Sequence, residues 1–435
     1  MSLFGAMNTA VSGLGAESAE FANISNNVSN SQTVGYKGVD TNFIDYLTTS
    51  TPQLNDSSTV VARPDYLNNV QGTITQTQNP LNLAISGQGF FAVSQATGSN
   101  NGQAVFNAQP YYTQAGDFTM NNQGYLVNSA GYYLNGWAVD PTTGAVNQNA
   151  LNPIQVSQTA FAPVATSEVD LSANLPATPS SASPVTSQVQ VYDGLGNLQT
   201  VNLTWTQTAA NNWQVAVSAP NATNGPALGT ANVSFGPGSG NPVADGTIGS
   251  ISGGTGTVAT SPYSANGTAS LSFTANFGNG LQPIELNLGS YGASNGLTQY
   301  AGTSYTLNNL SQNGVPPGAF SSVSVNTNGN VIINYNNGLT QTIAQVPVVT
   351  FNAPDALQSQ NGQAFTATEN SGDAIANSAG SGGSGGLVTN AVEGSNVDIS
   401  TEFSKLIVAQ EAYSANTKTI STADQMMQSL LNIIQ

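Results

Sequence analysis

Apolar residues recur at helical spacing only at the two ends of the chain. From the start, Phe4, Met7, Val11, Leu14, Phe21 and Val28 fall on alternating three- and four-residue steps, with Ser18 and Ser25 completing the row. This heptad-like spacing predicts a helix over 1–30. Gly13 and Gly15 interrupt it, each at about 1 kcal/mol relative to alanine. Near the other end Phe403, Leu406, Gln410, Tyr413, Thr417, Ile420, Asp424, Met427, Leu431 and Ile434 keep the same step and predict a second helix within 391–435. One alternate line of that row, Leu406, Tyr413, Ile420, Met427 and Ile434, is wholly apolar. Asp398 or Ser400 is placed to cap its start, and Glu402 complements the positive end of its dipole.

Everything between reads as β-structure. Short apolar or alternating runs such as Leu81 to Ile85, Phe90 to Val93, Val189 to Tyr192, Val201 to Trp205 and Val331 to Tyr335 are separated by Gly, Asn and Asp turns. Asp193-Gly-Leu-Gly and Asn336-Asn-Gly338 are hairpin-type turns. Hinges are expected near Pro153, along Pro176 to Pro184, and at Gly314-Val-Pro-Pro-Gly318. They bracket a middle block, so one β domain is expected inside another. Gly382-Gly-Ser-Gly-Gly386 reads as a flexible turn before the last helix.

The expected fold is therefore multidomain, with terminal α-helices forming a coiled-coil-like pair and two nested, mainly antiparallel β domains. Along the chain this gives an N-terminal helix (1–30), a connecting segment (31–71), the first part of an inner β domain (72–150), an inserted outer β domain (151–314), the second part of the inner domain (315–390) and a C-terminal helix (391–435). Two amphipathic helices with no helical partner between them must bury their seams on each other, parallel or antiparallel. A lone pair still leaves apolar faces in water, so packing against copies of the same pair is expected.

Composition narrows the chemistry. Only 6% of the 435 residues are charged, so the polar surface consists of Asn, Gln, Ser, Thr and Gly. The net charge is −17, and the basic residues are Lys37, Arg63, Lys405 and Lys418 alone, which disfavours nucleic acid and anionic membranes as partners. The absence of Cys and His removes disulfides, thiolate chemistry, imidazole bases and the usual zinc sites. No basic residue precedes Lys37, so no cleavable signal peptide is expected, and no apolar run reaches the ~20 residues of a membrane span.

No catalytic constellation emerges. Gly87-Gln-Gly89-Phe-Phe-Ala92 has the spacing of a dinucleotide loop but leads into a strand-like run, so it reads as a turn between strands. Glu168 with Asp170, and Asp355, Glu369 and Asp373, read as solvated carboxylates with no calcium-loop spacing. Trp137, Trp205 and Trp213 sit in strand-like runs and are expected in the core. No enzyme activity, cofactor or metal is expected.

Several blocks resemble the rod and hook axial proteins of the bacterial flagellum. Asn26-Asn27-Val-Ser-Asn-Ser-Gln-Thr-Val-Gly35-Tyr36-Lys37 resembles that family's N-terminal signature, with Val28 and Ser29 where Ile and Ala are more usual. Glu393-Gly-Ser-Asn396-Val397-Asp398-Ile-Ser400 followed by Ile407-Val-Ala-Gln410-Glu-Ala-Tyr-Ser-Ala-Asn416 resembles its C-terminal signature, with Glu411 in place of the usual Arg. Ile85 to Phe91, Tyr112 to Phe118 and Val191 to Asn197 resemble further blocks. The resemblance implies a structural subunit that polymerises helically into a hollow flexible tube coupling the rotary motor to the filament. Its assembly residues would be Phe4, Met7, Val11, Leu14, Phe21, Leu406, Tyr413, Ile420, Met427, Leu431 and Ile434. Its implied partners are copies of itself, the rod, the hook cap, the hook–filament junction proteins and the type III export apparatus, and its implied location is outside the cell. Phe43 and Leu47 fit an export docking element of that family. The inserted middle block favours the hook branch over the distal rod or a junction protein. From another class, a secreted β-rich adhesin or carbohydrate-active protein remains the alternative.

Overall fold

The computed structural model describes residues 3–46, 50–51, 54–55, 59–178 and 184–434. Leu47, the middle of the Pro176 to Pro184 stretch and the side chain of Ile434 lie outside what is described. The chain forms two compact units. The first comprises Met1–Gln158, Ser321–Asn334 and Thr340–Gln435, and the second Thr159–Phe320 with Tyr335–Leu339.

Both end helices belong to the first unit. Helix α1 spans Leu3–Ser29 and α2 spans Ile399–Ile434. They pack as an antiparallel pair. Asn27 meets Glu402 at one end, and stepping back along α1 to Gly13 while stepping forward along α2 to Asn416 keeps the two in contact. A Cβ on Gly13 would lie 2.8 Å from Asn416 Nδ2, so this glycine permits close approach. Nothing in the structure explains Gly15, whose Cβ would meet open space.

The register of the α2 seam differs from the sequence expectation by one residue along half its length. Leu406, Ile420 and Met427 are half-buried as expected, and Tyr413 sets its ring edge-on to Phe21 at a centroid distance of 6.2 Å. The complementary positions are Glu402, Ala409, Asn416 and Ala423, rather than Phe403, Gln410, Thr417 and Asp424, which are exposed. A small-residue line brings helix axes close and carries little hydrophobic signal, which is why the pattern pointed to its bulkier neighbours. On α1, Ala10, Ala16 and Ile24 are buried, Met7, Leu14 and Phe21 are half-buried, and Phe4 and Val11 are exposed.

Residues 31–71, expected as a connecting segment, contain an antiparallel hairpin of Val39–Tyr46 and Thr59–Tyr66 packed along α1. Ser12 Oγ accepts a hydrogen bond from Val60 N (3.2 Å), and Asn23 Nδ2 donates to Thr41 Oγ1 (2.9 Å). The rest of the first unit is a β body. Its strands adjoin in the order Thr340–Gln345, Tyr132–Val139, Phe91–Asn100, Tyr111–Thr113, Ala364–Thr366 and Gln358–Gln360, every pair antiparallel. Phe90 makes edge-on contacts with Phe351 and Phe365 at centroid distances of 5.8 and 5.7 Å, and Trp137 is buried. Gly87 and Gly89, with φ of +108° and +143°, turn the chain from Leu83–Ser86 into Phe91–Asn100. A strand, not a helix, follows them, so no helix N-terminus faces a phosphate here. The Gly382 to Gly386 stretch is not a loose tether. Gly382 and Gly383 take positive φ, Gly385 N donates to Gln88 O (2.7 Å), and Gly386–Thr389 pairs with Leu83–Ser86.

The second unit is a sandwich. One sheet is an antiparallel meander of Val185–Tyr192, Leu198–Ala209, Asn212–Ser218, Ala227–Phe235 and Ile248–Ser252. The other is built on Thr268–Asn276, Leu281–Ser290, Glu168–Asn174 and Thr306–Gln312, with a parallel pairing of Glu168–Asn174 to Leu281–Ser290 in an otherwise mainly antiparallel set. Alternating residues point inward from each sheet, so Val189, Val191, Leu203, Trp205, Trp213 and Val215 share one core with Val169, Leu171, Phe273 and Leu286. Chain entry and exit lie side by side, Val164 and Val315 exchanging backbone hydrogen bonds of 3.0 and 2.8 Å. Of the stretch read as a hinge, the described ends, Pro176 to Thr178 and Pro184, fall within this unit.

Candidate assembly site at the helix and sheet junction

The end of α1, the start of α2 and the edge of the first β body converge on a buried polar knot. Gly35 takes φ +69° in the turn after α1, where a Cβ would strike the backbone of Ala115. Its N–H donates to Glu393 O (2.8 Å), which lines the two terminal segments against each other. Strand Ala391–Glu393 pairs with Ile74–Gln76 and fixes Glu393 in place. Lys37 Nζ then lies 2.7 Å from Glu393 Oε1 and 2.6 Å from Val70 O, the two charged side chains being 1% and 2% exposed. Burial pushes the Lys37 pKa below the ordinary lysine value, against the pull of Glu393. Glu393 Oε1 also accepts from Gly72 N (2.7 Å), and a Cβ on Gly72 would collide with Gly394 O.

A second layer ties the helices themselves. Asn27, 2% exposed, uses both ends of its amide: Nδ2 donates to Val39 O and Glu402 Oε2 (3.0 Å each), while Oδ1 accepts from Val39 N (3.0 Å) and Tyr36 Oη (3.2 Å). Asn396 Oδ1 accepts from Gly38 N (2.8 Å), and its Nδ2 donates to Leu67 O (3.1 Å) and Val70 O (3.2 Å). Asp398 caps α2, its Oδ1 accepting from Thr401 N (2.9 Å), and that hydrogen bond holds its pKa below the usual aspartate value. Lys405 pairs with Asp40 on the hairpin and with Glu402 (3.0 Å) on its own helix. Partial burial acts to lower its pKa, but the two carboxylates outweigh that and the value is raised.

Of the residues singled out in the two terminal signatures, Asn27, Gly35, Tyr36, Lys37, Asn396 and Asp398 all take part in this knot, and Val397 lies against Gly38. Asn26 and Gln410 are exposed outside it, Asn26 accepting through its carbonyl from Asn30. Sequence reasoning did not single out Glu393, Gly72, Asp40, Glu402 or Lys405 as members of it. One signal was present: in a chain with four basic residues, each lysine near a terminal signature needs an acid, and Glu393 and Glu402 stand in or beside the C-terminal one. Phe43 is 45% exposed on the hairpin, opposite Ala62, so the folded chain holds it in a strand, and Leu47 lies outside the described residues. Among the described residues, no group of three or more acids is placed to hold a metal ion, and no helix is long and apolar enough to cross a membrane.

Asn27→Ala is expected to cost about 2 kcal/mol, because Val39 N–H and Glu402 would each lose a buried partner. Denaturant unfolding checks it, and a change under about 0.5 kcal/mol would mean the site is not sealed from water.

Comparison with known proteins assigns family blocks along the chain. Residues 7–37 match the flagella basal body rod protein family, 84–169 the flagellar hook protein FlgE/F/G D1 domain, 157–315 the flagellar basal body protein FlaE D2 domain, and 388–433 the flagellar basal body rod FlgEFG protein C-terminal family. The flagellar hook protein FlgE of Brucella abortus is 32% identical over the whole of both chains. That of Escherichia coli K12 is 31% identical over 98% of this chain and all of its own. The crystal structure of Helicobacter pylori flagellar hook protein FlgE2 aligns with 72% of this chain and 98% of its own at 13% identity and a TM-score of 0.47.

Proposed function

The chain belongs to the flagellar hook protein family, and from that premise we propose that it polymerises with copies of itself through its paired terminal helices and acts by no enzymatic chemistry. Its role is that of a structural subunit of the bacterial flagellar hook. The observation that carries the proposal is the apolar surface that the helix pair leaves in water: Phe4 is 70% exposed, Val11 56%, Ile407 61%, Val408 67% and Leu431 61%. Side chains of this size on one pair of helices favour burial against another copy. Contacts that repeat head to tail without closing build an open helical polymer. The purified chain is therefore expected to stay monomeric when dilute and to sediment as high-mass polymer above a threshold concentration. A chain that remains monomeric at every concentration would contradict the proposal.

The charge-poor surface suits a tube that bends as it turns. Asn, Gln, Ser and Thr exchange hydrogen bonds with a neighbour or with water at small net cost, so subunits can slide past one another. The rod, the cap, the junction proteins and the type III export apparatus are the expected flagellar partners, with residence outside the cell.

Export gives a separate expectation. If Phe43 and Leu47 dock the unfolded chain at the export gate, Phe43→Ala with Leu47→Ala leaves the subunit inside the cell while the purified variant still polymerises. The exposure of Phe43 on its hairpin supports this, since the fold needs it little. Normal secretion, or purified protein that fails to polymerise, would assign the pair to packing.

A further inference from the structure

The chain carries four cations, and the structure accounts for three of them. Lys37 and Lys405 are held in intrachain ion pairs, and Arg63 donates to Tyr46 Oη (2.9 Å). Lys418 is exposed on α2, and its ammonium has no ion pair or hydrogen bond among the described residues. Glu411, two turns earlier on the same helix, is likewise exposed and unpaired there. The α1-facing line of α2 runs through Ala409 and Asn416. Glu411 and Lys418 each stand two residues beyond a member of that line, about 200° around the helix, and so on the face turned away from α1. Seven residues apart, they share one column to within about 20° but are separated by about 10.5 Å along the axis. That is too far for one to satisfy the other. Two parallel α2 helices offset by one heptad would bring Lys418 of one beside Glu411 of the next, and the same offset repeats without closing.

We propose that Lys418 of one copy pairs with Glu411 of a neighbouring copy, so that this ion pair sets an axial offset of one heptad between adjacent α2 helices. The occupant of this face is thus a second copy of the chain. Two features argue for it: the charges are complementary within a single column, and the adjoining Phe403, Ile407 and Val408, 52%, 61% and 67% exposed, give the same face an apolar stretch to bury. The inference rests on the reading that copies assemble through their helices.

Charge reversal tests it. Lys418→Glu and Glu411→Lys, made singly and together in the full chain, are expected to leave the fold unchanged because both side chains are exposed. Each single reversal should raise the concentration needed for polymerisation about fivefold, and the double reversal should return it to within about twofold of the unaltered chain. A double variant no better than the worse single one, or singles that assemble normally, would overturn the pairing while leaving assembly through the helices standing. If the unaltered chain forms no polymer, the underlying reading fails as well. A carbodiimide cross-link gives a second readout. In polymer grown from mixed heavy- and light-isotope chains, the expected product joins Lys418 of one isotope to Glu411 of the other. Linkage of Lys418 to a different carboxylate would assign it another partner.

Discussion

A Glu393→Ala chain is expected to lose about 3–5 kcal/mol of stability in the unit that carries the helices. Lys37 would lose the carboxylate that opposes the effect of burial, in a site where its side chain is 1% exposed and where Val70 O is its one remaining hydrogen-bond acceptor among the described residues. Gly72 N would lose its acceptor in the same step. The loss follows from an abandoned partner rather than from the intrinsic worth of the ion pair. Lys37→Met combined with Glu393→Leu is therefore expected to recover much of it. Denaturant unfolding of the three chains separates these effects, and a loss below about 1 kcal/mol in the single variant would show that water reaches Lys37.

Ala409→Glu is expected to abolish polymerisation while both β units stay folded. Ala409 is 1% exposed on the line of α2 that Asn416 continues against Gly13 of α1, so a glutamate there brings bulk and an unpaired charge into the packed face of the helix. The body of α2 packs chiefly on α1, so it cannot absorb that cost and should come away from α1. Ala409→Ser, which adds neither the bulk nor the charge of glutamate at the same position, is the control and should still assemble. Sedimentation reads the polymer, and backbone hydrogen exchange reads which elements have opened. Polymer formed normally by Ala409→Glu would place the assembly surface elsewhere.

How far the fold could be read from sequence depended on whether burial left a periodic trace. Val189, Val191, Val201, Leu203 and Trp205 alternate along their strands, and each faces the sandwich core as that alternation requires. The terminal helices were legible for the same reason. The hairpin over Val39–Tyr46 and Thr59–Tyr66 was not, because its residues are half-buried or exposed with no two-residue rhythm and Pro64 stands within one strand. Half of the α2 seam lies one residue away from the line the apolar pattern marks, since Ala409 and Ala423 are buried but have little area with which to signal it. At the junction, Asn27, Gly35, Lys37 and Asn396 were marked by resemblance, but Lys37 and Glu393 are 356 residues apart. No local pattern reports a pairing of that span.

Electron microscopy of polymer grown from the purified chain, at a resolution that separates helices, tests most directly whether the paired terminal helices build the assembly. The expected image is an open hollow tube in which each α1–α2 pair packs against pairs from neighbouring subunits and covers Phe4, Val11, Ile407 and Val408. A closed ring, or a tube in which those helices hang free while the β units make all the contacts between subunits, would contradict it.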